Sequence, residues 1–75
     1  MPVTISYHGR ERMILRRATH AQVEQALSRE LRREPGQPGS VWIYGQTDQG
    51  ILKVCVSAPV AGNNRFVITV AWPDG

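Results

Sequence analysis

The sequence predicts an α+β domain. A short N-terminal strand and two helices should precede a three-stranded antiparallel meander, with the helices packed on one sheet face. Two patterns indicate this fold. Apolar side chains recur at helical spacing between residues 10 and 33, and apolar and polar residues alternate in three segments between residues 41 and 72. A chain of 75 residues is the size of one small domain, so residues 1–75 are treated as a single unit.

The N-terminal strand is predicted from the alternation of Val3, Ile5 and Tyr7 with polar neighbours. His8 follows on the polar side of this strand, where the first helix is expected to begin. That helix should extend from about residue 10 to residue 17.

Within the first helix, Met13, Ile14 and Leu15 form an apolar arc centred on Ile14, which predicts that this face packs on the core. Arg12 and Arg16 are four residues apart and lie nearly opposite the arc, separated by about 6 Å along the helix axis. An exposed row of two arginines is therefore predicted.

The second helix has a clear start signal. Thr19 is the expected N-cap, and Gln22 can complete a capping box with it. The predicted core residues of this helix are Val23, Ala26, Leu27 and Leu31, and its predicted outer face carries Arg29, Arg32 and Arg33. The segment 34–40 contains two prolines and two glycines, which should end the helix and form a loop.

Three strands are predicted at about 41–45, 51–58 and 65–72, joined through turns at 47–50 and 61–64. Alternation divides their side chains between two faces. The residues expected beneath the helices are Leu52, Val54, Val56, Phe66, Ile68, Val70 and Trp72. The opposite face should carry Lys53, Cys55 and Thr69.

The charge pattern favours recognition of an anionic polymer. The net charge is +3, and Lys53 is the only lysine, so arginine supplies almost all of the positive charge. A guanidinium binds phosphate or carboxylate through a planar fork of donors, which suits nucleic acid. The alternative is that the arginines reflect base composition and solubility alone.

These residues predict a site on the uncovered sheet face. His8, Lys53 and Thr69 should project into one groove, with Arg12 and Arg16 at its rim. An imidazole that titrates near pH ~6.5 beside permanently charged phosphate binders could cleave RNA without a metal ion. The alternatives are structural: His8 caps a helix, Thr69 is a favoured strand residue, and Lys53 keeps the face soluble.

Two aromatic residues extend the predicted site towards RNA binding. Trp42 and Tyr44 alternate with Val41 and Ile43, so they can face the same groove and stack on unpaired bases at ~1–3 kcal/mol each. Packing in the core or at the sheet edge is the alternative interpretation of both rings.

Other chemistries find less support. The single cysteine and two histidines fall short of a zinc-ligand set, so neither a metal nor a small-molecule cofactor is expected. Cys55 has no base near it in the sequence, which favours a packed cysteine over a nucleophile. The sequence lacks an apolar stretch of ~18 residues and a signal-peptide pattern at its start, so a soluble, cytoplasmic domain is expected, with no membrane contact.

The segment His8-Gly-Arg-Glu-Arg12-Met13-Ile-Leu-Arg16, followed by Ala18-Thr19, resembles the opening of a family of small bacterial domains of unknown function. Members of that family open with His-Ala-x-x-Arg-Met-x-x-Arg and close with a strand similar to Phe66-Val-Ile-Thr69-Val. The family is grouped with the barnase, EndoU, colicin and RelE-like ribonuclease toxins. The resemblance runs from about residue 4 to residue 72. It departs at Gly9, where the family has alanine, and at Arg17, where it often has glycine.

The resemblance implies a RelE-like toxin domain with two helices followed by an antiparallel sheet. It implies functional roles for His8, Arg12, Arg16 and Thr69 in metal-independent cleavage of RNA, by attack of a 2′-hydroxyl on the adjacent phosphate. Because a free ribonuclease would harm its own cell, an acidic antitoxin or immunity protein is the expected partner. If the domain belongs to a larger secreted toxin, it would act in the cytoplasm of a target cell. The alternative function is a non-catalytic module that binds nucleic acid or docks on a protein within a toxin or phage system.

Overall fold

A computed structural model describes residues 3–57 and 65–73 of the chain. Its elements, in chain order, are β1 (Val3–Ile5), α1 (Tyr7–Arg16), α2 (His20–Ser28), β2 (Glu30–Pro35), β3 (Ser40–Thr47), β4 (Gly50–Ser57) and β5 (Arg65–Ala71). The strands form one five-stranded sheet in the order β1-β5-β4-β3-β2. β1 is parallel to β5, and the other pairs are antiparallel. The α+β class is confirmed, and the predicted meander forms the centre of a larger, mixed sheet.

The hydrophobic core lies between the two helices and one face of this sheet. α1 packs on β5, and α2 packs on β3 and β4. The core residues from the helices are Met13, Val23, Ala26 and Leu27, and those from the three central strands are Ile43, Leu52, Val54, Val56, Val67 and Val70. The register places these strand residues side by side on one face, for example Ile43 opposite Val54 and Val54 opposite Val70. The opposite face therefore carries the alternate residues of β3, β4 and β5.

α1 begins three residues earlier than predicted and turns a different face to the core. Ser6 is the N-cap, and its hydroxyl accepts a hydrogen bond from the Gly9 N–H. The buried residues of α1 are Gly9 and Met13, whereas Ile14 is 79% exposed. The predicted arc centred on Ile14 is wrong because Gly9 lets the helix backbone approach the sheet. A Cβ at Gly9 would lie 3.1 Å from the Val67 carbonyl oxygen, so the helix contacts β5 along the row of Gly9 and Met13.

α2 begins as predicted and ends earlier. The capping box of Thr19 and Gln22 is present. The helix stops at Ser28, and residues 30–35 form an edge strand, so the predicted extension of the helix to residue 33 is wrong. Leu31, expected in the core, is 58% exposed on this strand. The physical reason is the hairpin: residues 36–39 turn the chain directly into β3, so residues 30–35 can pair antiparallel with it.

A β-bulge in β5 changes the predicted alternation. Cys55 pairs with Thr69 and Val56 pairs with Val67, so Ile68 is an extra residue at this point of the ladder. Val67 is consequently buried in the core, and Phe66 is 45% exposed. The predictions that Phe66 and Ile68 lie beneath the helices are wrong. Val70, beyond the bulge, lies there as expected.

The turn predicted at 47–50 is present between β3 and β4, with Gly50 at φ +114°. The turn predicted at 61–64 lies outside the described residues. Among the described helices, none has the length and apolar character needed to cross a membrane.

Candidate nucleic-acid interface

α1 is held along β5 by hydrogen bonds at both ends. The Ser6 N–H donates to the Val67 carbonyl at 2.9 Å, and the Ser6 hydroxyl donates to the Ile68 carbonyl at 3.3 Å. At the other end, the Trp72 indole N–H donates to the Arg16 carbonyl at 2.6 Å. β1 stops opposite Val67, so the first turn of α1 lies beside the part of β5 that continues past β1. This arrangement brings residues of the first helical turn to the edge of the uncovered sheet face.

His8 and Thr69 line one cavity of about 450 Å³. Trp42, Cys55 and Ile68 line it as well, together with the β2–β3 turn at residues 37–40. The cavity therefore collects side chains from α1 and from the three central strands. His8 was expected to lie at a strand end; it lies in the first turn of α1, with Ser6 in place of His8 as the cap. The predicted proximity of His8 and Thr69 holds, although the element that carries His8 differs.

The imidazole of His8 has a specific partner. Arg12 Nε donates to His8 Nε2 across 3.3 Å, one helical turn away. A guanidinium can only donate, so in this arrangement Nε2 accepts and the ring proton resides on Nδ1. His8 Nε2 is therefore the basic nitrogen, and Arg12 lies beside it. Arg12 is half-buried, and Arg16, a further turn along, is exposed. Neither arginine lines the cavity, and Arg12 reaches its border through the contact with His8.

Lys53, expected in the same groove as His8 and Thr69, is not among the residues that line the cavity; it lies beside it and contacts the predicted aromatic residues. Its Nζ lies 4.5 Å from the centroid of the Trp42 ring and 5.9 Å from that of Tyr44. The three residues share the uncovered face because Tyr44 pairs with Lys53 and Trp42 pairs with Cys55 across β3 and β4. Trp42 is half-buried and borders the cavity, whereas Tyr44 is 9% exposed. Trp42 is therefore the ring that remains available to a ligand.

Two residues that the sequence analysis did not select complete this face. Arg32 lies over the Tyr44 ring, with its guanidinium carbon 3.9 Å from the centroid, and forms an ion pair with Glu34. The Tyr44 hydroxyl donates to the second oxygen of Glu34 at 3.1 Å. The hydrogen bond from Arg32 chiefly lowers the pKa of Glu34, and the Tyr44 hydroxyl and the positive charge of Lys53 contribute. The sequence signal that could have located this strand is the Gly- and Pro-rich segment at 36–39, since a short turn of this composition before a strand is typical of a hairpin.

Tyr44, Arg32 and Lys53 thus form a cluster with Trp42 and Glu34, which we call the cation–aromatic cluster. Arg32 covers one ring and Lys53 lies over the other. Cation–π contacts of this kind contribute about 0.5–1 kcal/mol at exposed sites. The cluster places the Lys53 amine over the Trp42 indole at the border of the cavity of His8 and Thr69, and Arg32 further along the same face, over Tyr44.

The remaining candidate groups show no further chemistry. Cys55 is 6% exposed at the floor of the cavity, as expected for a packed cysteine. His20 lies at the start of α2, where its Nε2 is 3.6 Å from a Glu24 carboxylate oxygen. Across residues 3–57 and 65–73, no group of three or more histidine, cysteine, aspartate or glutamate side chains is placed to hold a metal ion.

Comparison with known proteins adds no relative. The chain matches no protein-family description, no curated protein and no solved structure. Functional conclusions therefore depend on the chemistry of the residues themselves.

Proposed function

We propose that the uncovered sheet face binds single-stranded RNA and that the cavity of His8 and Thr69 cleaves it as a metal-independent endoribonuclease of the toxin type. One observation carries this proposal: His8, Thr69 and Trp42 line a single cavity, and the Lys53 amine lies over the Trp42 ring at its border. RNA cleavage by a 2′-hydroxyl requires a proton-transfer group and stabilisation of the charge on the phosphate, and a hydroxyl and a stacking ring would orient the substrate.

The reaction would proceed by attack of a ribose 2′-oxygen on the adjacent phosphorus. His8 Nε2 accepts the 2′ proton as the new P–O bond forms. The bond from phosphorus to the 5′-oxygen breaks, and that oxygen takes a proton from a water molecule, whose hydroxide takes the 2′ proton back from His8. The products are a 2′,3′-cyclic phosphate and a 5′-hydroxyl, with His8 neutral again. Arg12 and Lys53 would stabilise the charge on the phosphate, and Thr69 would donate a hydrogen bond to it. Arg16, on the exposed part of α1, would contact a neighbouring phosphate.

The contact between Arg12 and His8 gives this scheme an order of events. Arg12 occupies the basic nitrogen of His8 in the free protein. A bound phosphate offers Arg12 a charged, bidentate partner, which is a stronger acceptor than a neutral imidazole. Phosphate binding would therefore draw Arg12 away and release Nε2 to act as the base.

The cation–aromatic cluster would hold the nucleotides beside the cleaved bond. An unpaired base stacked on Trp42 contributes ~1–3 kcal/mol, and Lys53 and Arg32 would contact the backbone. Tyr44 is buried under Arg32 and hydrogen-bonded to Glu34, so its role is to position Arg32. Trp42→Ala should therefore weaken RNA binding about tenfold, whereas Tyr44→Phe, which keeps the ring under Arg32, should change it little.

The decisive experiment compares two histidine variants in a buffer that contains EDTA. His8→Ala should abolish cleavage of a labelled single-stranded RNA and leave binding nearly intact, because a neutral imidazole adds little to phosphate affinity. His20→Ala, which changes an exposed histidine of α2, is the matched control and should cleave normally. Analysis of the product ends should show 2′,3′-cyclic phosphates. Cleavage that persists in His8→Ala would refute the catalytic role.

A second candidate function is a binding module without catalysis. The specific observation in its favour is that Arg12 already occupies the only basic nitrogen of the His8 ring. In that case the purified chain would bind RNA with a steep salt dependence and yield no cyclic-phosphate ends. In either case we propose an acidic protein partner, because α1 presents Arg10, Arg12 and Arg16 against a single carboxylate, Glu11.

A further inference from the structure

A further groove lies away from the RNA-binding face, between the edge strand β1 and the helices. Its volume is about 560 Å³. It is lined mainly by apolar side chains, with one hydroxyl and two basic groups: Val3, Ile5, Met13, Ile14 and Ala18, with Thr4, Arg10 and His20. Nothing in the proposed RNA chemistry uses this groove, so its composition needs a separate explanation.

β1 borders the groove at the edge of the described part of the sheet. It is the first strand in the sheet order, and within residues 3–57 and 65–73 its only strand partner is β5. The Ser6 N–H points to β5, where it donates to the Val67 carbonyl. Because backbone groups alternate in direction along a strand, the N–H and C=O groups of Val3 and Ile5 point to the open side. An open strand edge is a template for a further strand.

Apolar side chains at the groove are exposed to solvent, and this exposure does not stabilise an isolated chain. Ile14 is 79% exposed at the groove. Tyr7, which lies about two turns earlier on the same face of α1, is 81% exposed. Arg10 stands at the groove and forms no ion pair with any described carboxylate. An apolar groove with a free guanidinium at its edge matches a segment that carries both apolar side chains and a carboxylate.

We propose that this groove binds an extended, acidic segment of a partner protein, which adds a strand to the open edge of β1. Alternate side chains of that segment would be apolar and pack against Ile14 and Met13. A carboxylate at a neighbouring position would pair with Arg10. This surface is separate from the cavity of His8, so its occupation does not depend on whether the chain cleaves RNA.

The charge on α1 argues against a second copy of this chain as the occupant. A symmetric dimer through this groove would bring Arg10 of one copy close to Arg10 of the other, and the described lining of the groove includes no carboxylate to offset these charges. Like charges at an interface disfavour association. A helical segment fits less well than an extended one, because a helix satisfies its own backbone groups and leaves the edge of β1 unpaired.

The test uses the complete 75-residue chain and a synthetic probe with alternating valine and aspartate, acetylated and amidated at its ends. Titration followed by backbone amide NMR should shift the signals of β1 and of the second half of α1, and slow the hydrogen exchange of the Val3 and Ile5 amides. The same peptide with lysine in place of aspartate is the charge control and should bind at least fivefold more weakly.

Two pairs of variants separate the backbone and charge contributions. Val3→Pro removes an outward N–H at the first position of the strand, where proline is tolerated, and should weaken probe binding about fivefold. Val3→Ala loses more of the side chain but keeps the N–H, and should bind more tightly than Val3→Pro. Arg10→Gln should weaken binding about twofold to fivefold, whereas Arg29→Gln, with the same change of charge at the other end of α2, should not.

Thermal melts of all four variants check that the fold is retained. Three outcomes would overturn the proposal: no binding of the acidic probe at millimolar concentration, equal binding of the lysine probe, or equal affinity of Val3→Pro and Val3→Ala. Sedimentation of the free chain as a dimer that Ile14→Ser dissociates would instead assign the groove to a second copy, and would overturn it as well.

Discussion

Arg12 Nε and His8 Nε2 lie 3.3 Å apart, so that a permanent cation occupies the nitrogen that a general base would use. If Arg12 exchanges this contact for one with a phosphate, substitution of Arg12 should reduce both RNA binding and RNA cleavage. We expect Arg12→Gln to weaken RNA binding and to lower the slope of log K against log salt by somewhat under one unit. Fluorescence anisotropy over a salt series measures both quantities.

The control for this prediction is Arg29→Gln, which removes the same charge outside the candidate interface. Its binding and salt slope should remain close to those of the unmodified chain. An equal reduction in both variants would mean that net charge, and not the position of Arg12, determines affinity.

The ion pair of Glu34 with Arg32 predicts a pH dependence of stability. The pKa of Glu34 is lowered from its ordinary value of 4.5, chiefly by the hydrogen bond from Arg32. A carboxyl whose folded pKa is depressed contributes stability above its unfolded pKa, and loses it as the pH falls through the folded pKa. Glu34→Gln should therefore lower the melting temperature at neutral pH, and the difference from the unmodified chain should shrink below pH ~4.5.

Glu11→Gln removes one carboxylate from an exposed position of α1 and serves as the matched control for thermal melts between pH 3 and pH 7. A Glu34→Gln difference that stays constant across that range would contradict the proposed ion pair. The side chains of Arg32 and Glu34 are about half exposed, at 58% and 42%, so added salt should reduce the difference too.

Local signals in the sequence predicted more of this fold than side-chain periodicity did. The start of α2 was predictable because the capping box depends on residues three apart in the chain, Thr19 and Gln22. The contact face of α1 was not, because its closest approach is made by Gly9, which no hydrophobic pattern identifies. β2 was hidden because four of its six residues are charged, so no apolar alternation marks this edge strand.

The candidate site was predictable in its central part only. Alternation along β3 and β4 correctly placed Trp42, Lys53 and Cys55 on one face, since neither strand is interrupted there. The bulge opposite Cys55 adds one residue to β5, so alternation assigned Ile68 to the wrong face. Arg32 and Glu34 were missed with β2 itself. A site assembled across strands depends on register, and register depends on bulges and turns that single-sequence periodicity does not specify.

The corrected end of α2 predicts a contrast between two leucines. Leu27 is 4% exposed and Leu31 is 58% exposed. Leu27→Ala should destabilise the fold by about 2–5 kcal/mol through the cavity it leaves, whereas Leu31→Ala should stay within about 0.5 kcal/mol. Thr19→Ala should cost about 1 kcal/mol because it removes the cap of the helix. Urea unfolding measures the free energy of unfolding of all three variants. Equal losses for Leu27→Ala and Leu31→Ala would support a helix that extends to Leu31.

The last prediction concerns the contact between α2 and the sheet. Gly45 of β3 lies so close to the end of α2 that an added Cβ would be 1.8 Å from the Ala26 carbonyl oxygen and 2.5 Å from the Ala26 Cα. Both are backbone atoms, so relief requires moving the whole helix away from β3. Gly45→Ala should therefore destabilise the fold by about 3 kcal/mol or more, at the upper end of the cost of overpacking.

Gly50→Ala is the matched control for Gly45→Ala. Gly50 has φ +114° and no atom within 4 Å of an added Cβ, so its substitution strains the backbone without a steric clash. Its cost should be about 1–2 kcal/mol.

Because α2 contacts β3 and β4 on the face opposite Trp42, Gly45→Ala should also loosen the sheet beneath the cation–aromatic cluster. Amide NMR spectra should then show perturbed signals in both α2 and β3, whereas Gly50→Ala should perturb its own turn alone. A Gly45→Ala variant as stable as Gly50→Ala would show that α2 does not pack against β3 at this point.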